Sequence, residues 1–157
     1  MKYRQLTKEQ FESLHEEFSR FLATQQIDVK EWNKIKEEKP EVAEDEMNIF
    51  SDLVWEKVLT ETKYLDHYSK HSLNLFKCEE EQIHRILIKV SESIDLTSKE
   101  GFQWLIDNSK DASVEYFKAT KKYNKERNEE IFSMVEQGCD ITKGDYFEKF
   151  SSLISEK

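Results

Sequence analysis

A chain of 157 residues with a net charge of −9, three Gly, one Pro and two Cys is the size of one domain and leaves little room for flexible linkers. Two cysteines exclude a disulfide-dense secreted scaffold, and the acidic balance argues against a general affinity for nucleic acid or anionic lipid. Apolar residues at 37% and aromatics at 12% still suffice for a substantial core under a heavily charged surface.

The first segment, MKYRQLTKEQFESLHEEF, reaches acidic residues almost at once and has no apolar run like that of a signal peptide. No stretch is long and uncharged enough to span a bilayer. These features predict a cytoplasmic protein without a membrane partner. In LTKEQF, Thr7 is a helix cap, Gln10 completes a capping box and Leu6 staples to Phe11. Phe11, Leu14, Phe18 and Phe21 then share one face of a first helix. The same grammar recurs in IDVKEW, with Asp28 as cap, Glu31 three residues on and Ile27 against Trp32, opening a second helix to about Lys39. Pro40 fits the first turn of a third helix, because its missing N–H has no helical partner there. Glu41, Glu44, Asp45 and Glu46 suit the positive end of that helix's dipole. Ala43, Met47, Phe50, Val54 and Val58 form its stripe, while Ile49, Leu53, Trp55 and Leu59 widen it beyond one contact face, which predicts a central helix.

DHYSKH, residues 66 to 71, places His67 and His71 four apart beside Asp66, with Cys78 downstream. On a helix the two imidazoles would share a face, as in HExxH zinc sites. The glutamate of that motif is missing and Lys70 stands beside the second histidine, so the segment is read as a solvated loop with no metal. From Ser72, LNLFKC alternates, EEEQ interrupts and IHRILIKV is β-branched, the pattern of a two-stranded hairpin. The competing reading is one helix through Leu73, Phe76, Ile83, Leu87 and Val90. Thr97 and Glu100 in LTSKEGFQWL read as a capping box for a helix burying Phe102, Leu105 and Ile106. SVEYFKATKKY reads as a strand, and the strand, helix, strand order over residues 83 to 123 admits a right-handed parallel crossover. Asn124 to Gln137 is expected to be helical with Gly138 at its stop, and a last helix runs from Thr142, with an Ile141 to Tyr146 staple, to near Ile154. The expectation is one α+β domain over residues 1–157. A helical half of three helices (about 1–65) precedes a two- to three-stranded sheet with three further helices (about 72–157); the alternative is all-α.

LTKEQFESLHEEFSRFLATQ, EWNKIKEEKPEVAEDEMNIFSDLVWEKVL, IDLTSKEGFQWL and EQGCDITKG resemble the successive blocks of a family of small uncharacterised bacterial proteins, a domain of unknown function. The resemblance spans nearly the whole chain but implies no catalytic residue, because the shared blocks are caps, core stripes and turns. Some relatives carry a histidyl-tRNA synthetase label. The shortness of this chain and its lack of arginine-bearing motifs resembling those of such enzymes argue against that activity here.

Cys78 precedes EEE and Cys139 adjoins Asp140, so neither has the cationic setting that activates a thiol. Paired carboxylates such as Glu44 with Asp45, Asp52 with Glu56 and Glu129 with Glu130 read mostly as solvated helix faces, since acid and base work needs unlike environments within a cleft. Gly101, Gly138 and Gly144 are isolated and form no phosphate loop, so no nucleotide or other cofactor is expected. Two surfaces remain. The acidic third helix offers Glu41, Glu44, Asp45 and Glu56 to a protein partner, such as a basic surface of a larger assembly. Lys118, Lys121, Lys122, Lys125 and Arg127, interleaved with Tyr116, Phe117 and Tyr123, are candidate phosphate contacts for RNA. The leading expectation is a non-enzymatic interaction or accessory factor, followed by an RNA-associated factor and then by an enzyme of unlisted type.

Overall fold

A computed structural model describes residues 1–155, and the chain divides into two compact units, Met1–Thr60 and Glu61 onward. The first is built from α1 (Lys8–Ser13), α2 (His15–Ala23), α3 (Val29–Glu38) and α4 (Pro40–Glu61, whose last residue crosses the boundary). Its local signals act as their chemistry dictates. The Thr7 hydroxyl accepts from the Gln10 N–H at 3.2 Å, and the Gln10 side chain accepts in return from the Thr7 N–H at 2.9 Å. Asp28 caps α3 by accepting from the Glu31 N–H at 2.8 Å, and Pro40 opens α4. Replacing Thr7 with Ala removes one side of the box, with an expected loss of about 1 kcal/mol, readable as a lower urea midpoint at unchanged slope.

The expected first helix is two helices, broken at Leu14, where φ −107° and ψ 23° leave the helical region. Beyond the break, the Phe18 ring lies 5.4 Å from Phe11, 5.3 Å from Trp32 and 5.0 Å from Phe50 between centroids. Phe21 also reaches Phe50, at 5.4 Å. Aromatic packing on α4 thus settles a geometry that helix propensity alone reads as continuous.

The second unit holds β1 (Tyr64–Tyr68), β2 (Ser72–Cys78), β3 (Gln82–Lys89), α5 (Lys99–Asp107), β4 (Glu115–Lys122), α6 (Arg127–Glu136), β5 (Asp140–Thr142) and α7 (Asp145–Ser155). The strands form one five-stranded sheet in the order β4-β3-β2-β1-β5, and every pairing is antiparallel. The α+β class and the β2–β3 hairpin agree with the sequence reading. The two- to three-stranded sheet with three helices on either side does not: seven helices and five strands are present among the described residues. DHYSKH is not a loop throughout, since Asp66, His67 and Tyr68 complete β1. The parallel crossover is also corrected, because β4 runs antiparallel beside β3 after α5. Ser98, not Thr97, caps α5, its hydroxyl accepting from the Gly101 N–H at 2.9 Å. The last helix starts at Asp145, because Ile141 and Thr142 are held as β5 against Leu65 and Tyr64.

Alternation along each strand sorts side chains onto two faces. Leu73, Leu75, Ile86 and Ile88 point to one face and form a core with Leu105 of α5 and Phe147 and Phe150 of α7. On the opposite face Leu65, Cys78 and Ile83 are buried, as is Ile131 of α6. Among the described residues no helix is long and apolar enough to cross a membrane.

Candidate functional site

In the first unit, α4 carries apolar side chains around nearly its whole circumference. Phe50, Trp55 and Leu59 are buried, yet Val42, Ile49 and Leu53 are 37%, 50% and 56% exposed. At 3.6 residues per turn these three fall within about 40° of one another, in one stripe along the helix. Asp45, Glu46 and Glu56 border it.

The sequence-selected acids have different fates around this stripe. Glu41 and Asp45 are exposed. Glu44 accepts from the Gln5 amide at 2.9 Å. Glu56 is half-buried, pairs with Lys2 at 3.6 Å and accepts from the Tyr3 hydroxyl. Burial, then that carboxylate, pushes Tyr3 up to about 12. Asp52 accepts from the Lys2 and Tyr3 N–H groups at 2.7 and 2.9 Å. Glu56 and Asp52 therefore tie the N-terminal segment to α4, while Glu41 and Asp45 remain toward solvent.

In the second unit, the five basic residues chosen from sequence separate. By the alternation of β4, Lys118 and Lys122 point to the α7 face and Lys121 to the α6 face. Lys125 donates to the Ser133 hydroxyl at 2.8 Å. Arg127 is a structural clamp: Nε donates to the Glu79 carbonyl at 3.0 Å, Nη1 to Asn128 at 2.8 Å, and Nη2 to the Cys78 carbonyl at 3.3 Å and to the Thr62 carbonyl. The interleaved tyrosines are engaged too, Tyr116 with the Ser109 carbonyl and Tyr123 with the Glu79 carbonyl at 2.6 Å. Phe117 is 46% exposed, with the Lys89 ammonium 5.4 Å from its ring centre.

Lys121 and Lys125 do meet, at the mouth of a cavity of about 450 Å³ between α6 and the sheet. Phe76, Ile83, Ala119 and Met134 make its apolar floor, and Arg85 is a third cation in its wall. A second cavity, of about 220 Å³, shares Phe76, Arg85, Met134 and Gln137 with the first and extends to His67 and Cys139. The two form one groove along α6. Arg85 Nε donates to the Asn74 side chain at 2.8 Å, which orients its guanidinium over the groove's junction.

Glu130 in the same wall is only 8% exposed. Its Oε1 accepts from Lys121 Nζ at 3.3 Å and from the Asn124 N–H at 3.1 Å. Its Oε2 is buried, and among the described residues no donor reaches it, an arrangement that costs about 1–3 kcal/mol. Sequence reading placed Glu130 on a solvated helix face. The available signal was its position beside buried Ile131 and one turn before Met134, on the apolar side of α6.

His67 and His71, the pair that raised the metal question, separate because β1 ends between them. His67 lines the smaller cavity, while His71 Nδ1 contacts the Ile94 carbonyl at 2.9 Å. Burial pushes the thiols of Cys78 up to about 12 and Cys139 up to about 11, which keeps both protonated and poorly nucleophilic at neutral pH. Asp66 is 2% exposed. Burial, with Asp140 and Asp145 nearby, pushes its carboxyl up to about 6 despite a 3.4 Å hydrogen bond from Thr142.

No curated protein and no solved structure matches the chain. The sequence profile of a family of unknown function (DUF6495) matches residues 1–155, and the chain belongs to that family.

Proposed function

We propose that the protein is a non-enzymatic cytoplasmic accessory factor that docks the exposed stripe of α4 on a basic partner protein. The observation that carries this reading is the exposure of Val42, Ile49 and Leu53 in a row, bordered by carboxylates. A helix that is apolar on nearly every side is normally covered on every side, and exposed apolar side chains aligned on one face and rimmed by charge mark interaction sites. Charge selects the occupant. A second copy of this chain would bring the same acidic border against itself, in a molecule already at −9, whereas a partner with apolar anchors flanked by Lys and Arg complements both features.

The test places a photo-crosslinker at Leu53 in the full chain and exposes it in native cells. The expected product is one stoichiometric adduct with a basic protein. Its yield should fall about tenfold or more with Ile49→Asp, which puts a charge in the apolar contact. It should fall with Glu41→Lys plus Asp45→Lys as well, and with added salt. Ile49 is half-exposed, so its substitution should leave folding stability within about 0.5 kcal/mol. A monomer that yields no adduct at position 53, or an adduct indifferent to Ile49→Asp, contradicts the reading.

A further inference from the structure

We infer that the groove along α6 is a binding site for an amphipathic organic anion, a carboxylate or sulfonate on an aromatic or branched apolar body. Its volume of about 450 Å³ lies in the range of small-ligand sites, which combine an apolar lining with a few convergent polar groups. The floor of Phe76, Ile83, Ala119 and Met134 suits the apolar body. Above it stand Arg85, Lys121 and Lys125, three cations gathered at one concavity of a chain whose net charge is −9. A concave, apolar-walled site concentrates the field of such charges on whatever enters it.

The one carboxylate in the wall, Glu130, offsets Lys121, with which it pairs at 3.3 Å, and the positive excess rests on Arg85 and Lys125. Glu130 is turned to the Asn124 N–H and to Lys121, so it fixes Lys121 at the mouth. Lys125 is held by the neutral Ser133 hydroxyl. Arg85 spends Nε on Asn74 and keeps its terminal N–H groups for a planar acid, the geometry in which guanidinium binds carboxylates best. An anion seated there would lie on Phe76 and Met134 with its acid group between Arg85 and Lys125. This site is independent of the α4 surface, and either can fail without the other.

The test titrates the full chain with anilinonaphthalene sulfonate, following the probe's fluorescence, and displaces it with naphthoate. One site per chain is expected. Arg85→Glu and Lys125→Glu should each weaken binding about tenfold or more, and Met134→Trp, which fills the floor, should abolish it. Lys89→Glu, a charge reversal on the same sheet face but outside the groove, should leave affinity within about twofold. Circular dichroism of every variant separates loss of binding from loss of fold, and Arg85 and Lys125 are exposed enough for their variants to stay folded. The inference is overturned if binding is absent or occurs at several sites. It is equally overturned if Arg85→Glu leaves affinity within twofold, or if naphthylmethylamine, the cation of similar shape, displaces the probe as well as naphthoate does.

Discussion

Gly101→Ala is expected to destabilise the protein by about 3 kcal/mol or more, among the largest effects of any single methyl group added to this chain. A Cβ at Gly101 would fall 1.8 Å from the Asp95 carbonyl oxygen and 2.5 Å from its carbon. Those atoms are backbone and are held on several sides. The Asp95 oxygen accepts from the Ser98 hydroxyl at 2.7 Å, and the same hydroxyl caps α5. The next residue, Leu96, is 2% exposed in the core and donates its N–H to the Lys70 carbonyl at 2.7 Å. Relieving the overlap therefore moves either the first turn of α5 or the loop that seats Leu96. Chemical unfolding of the variant measures the loss, and a midpoint within error of the native chain would show that the loop yields freely.

Asp66→Asn should raise stability at pH 8 relative to pH 4, by a differential of about 2–3 kcal/mol. Burial lifts the Asp66 carboxyl from its ordinary 3.8 to about 6 in the folded state. A raised folded value means that the native state binds the proton more tightly than the unfolded chain does. The contribution of Asp66 is then fully present below about pH 4 and is lost as pH rises through about 6. Above that, the folded state carries an ionised carboxylate at a 2% exposed position, facing Asp140 and Asp145. Asn keeps the shape and can still accept from the Thr142 hydroxyl but does not ionise. Unfolding free energies of both proteins at pH 4, 6 and 8 check this. The gain of the variant should grow between pH 4 and 6 and level off beyond. A gain independent of pH would show that Asp66 titrates in the folded chain as it does in the unfolded one.

Legibility in the sequence follows the range of the interaction that fixes each feature. Thr7, Asp28 and Pro40 act within one helical turn, and all three sit where their local chemistry places them. The β2–β3 hairpin was readable because Leu73, Leu75, Ile86 and Ile88 alternate toward one covered face. β1 was not, because Leu65 and Asp66 are adjacent, point to opposite faces and are both buried, so YLDHY shows no apolar alternation. β5 is three residues long and exists through its pairing with β1. The break at Leu14 and the shift of the α5 cap from Thr97 to Ser98 depend on contacts with Phe50 and with the Asp95 carbonyl, which window-based reading does not contain.

The candidate sites divide in the same way. The α4 stripe was visible as an excess of apolar positions, Ile49 and Leu53 above all, although sequence alone assigned them to a central helix. The basic run from Lys118 to Arg127 was visible as composition, but strand alternation and the carbonyl contacts of Arg127 split it. Arg85 and Glu130 meet Lys121 and Lys125 only once α6 lies over the sheet, so the groove has no linear signature.

The measurement that bears most directly on the proposed docking surface is hydroxyl-radical footprinting of Val42, Ile49 and Leu53. The purified chain is compared with the proposed complex, formed with the partner recovered from cells by the Leu53 crosslink, and Val29, 72% exposed on α3, serves as reference. Protection of the three α4 residues in the complex, with Val29 labelled equally in both, is the predicted result. Equal labelling of Ile49 and Leu53 in the two samples would contradict the assignment of α4 as the contact surface.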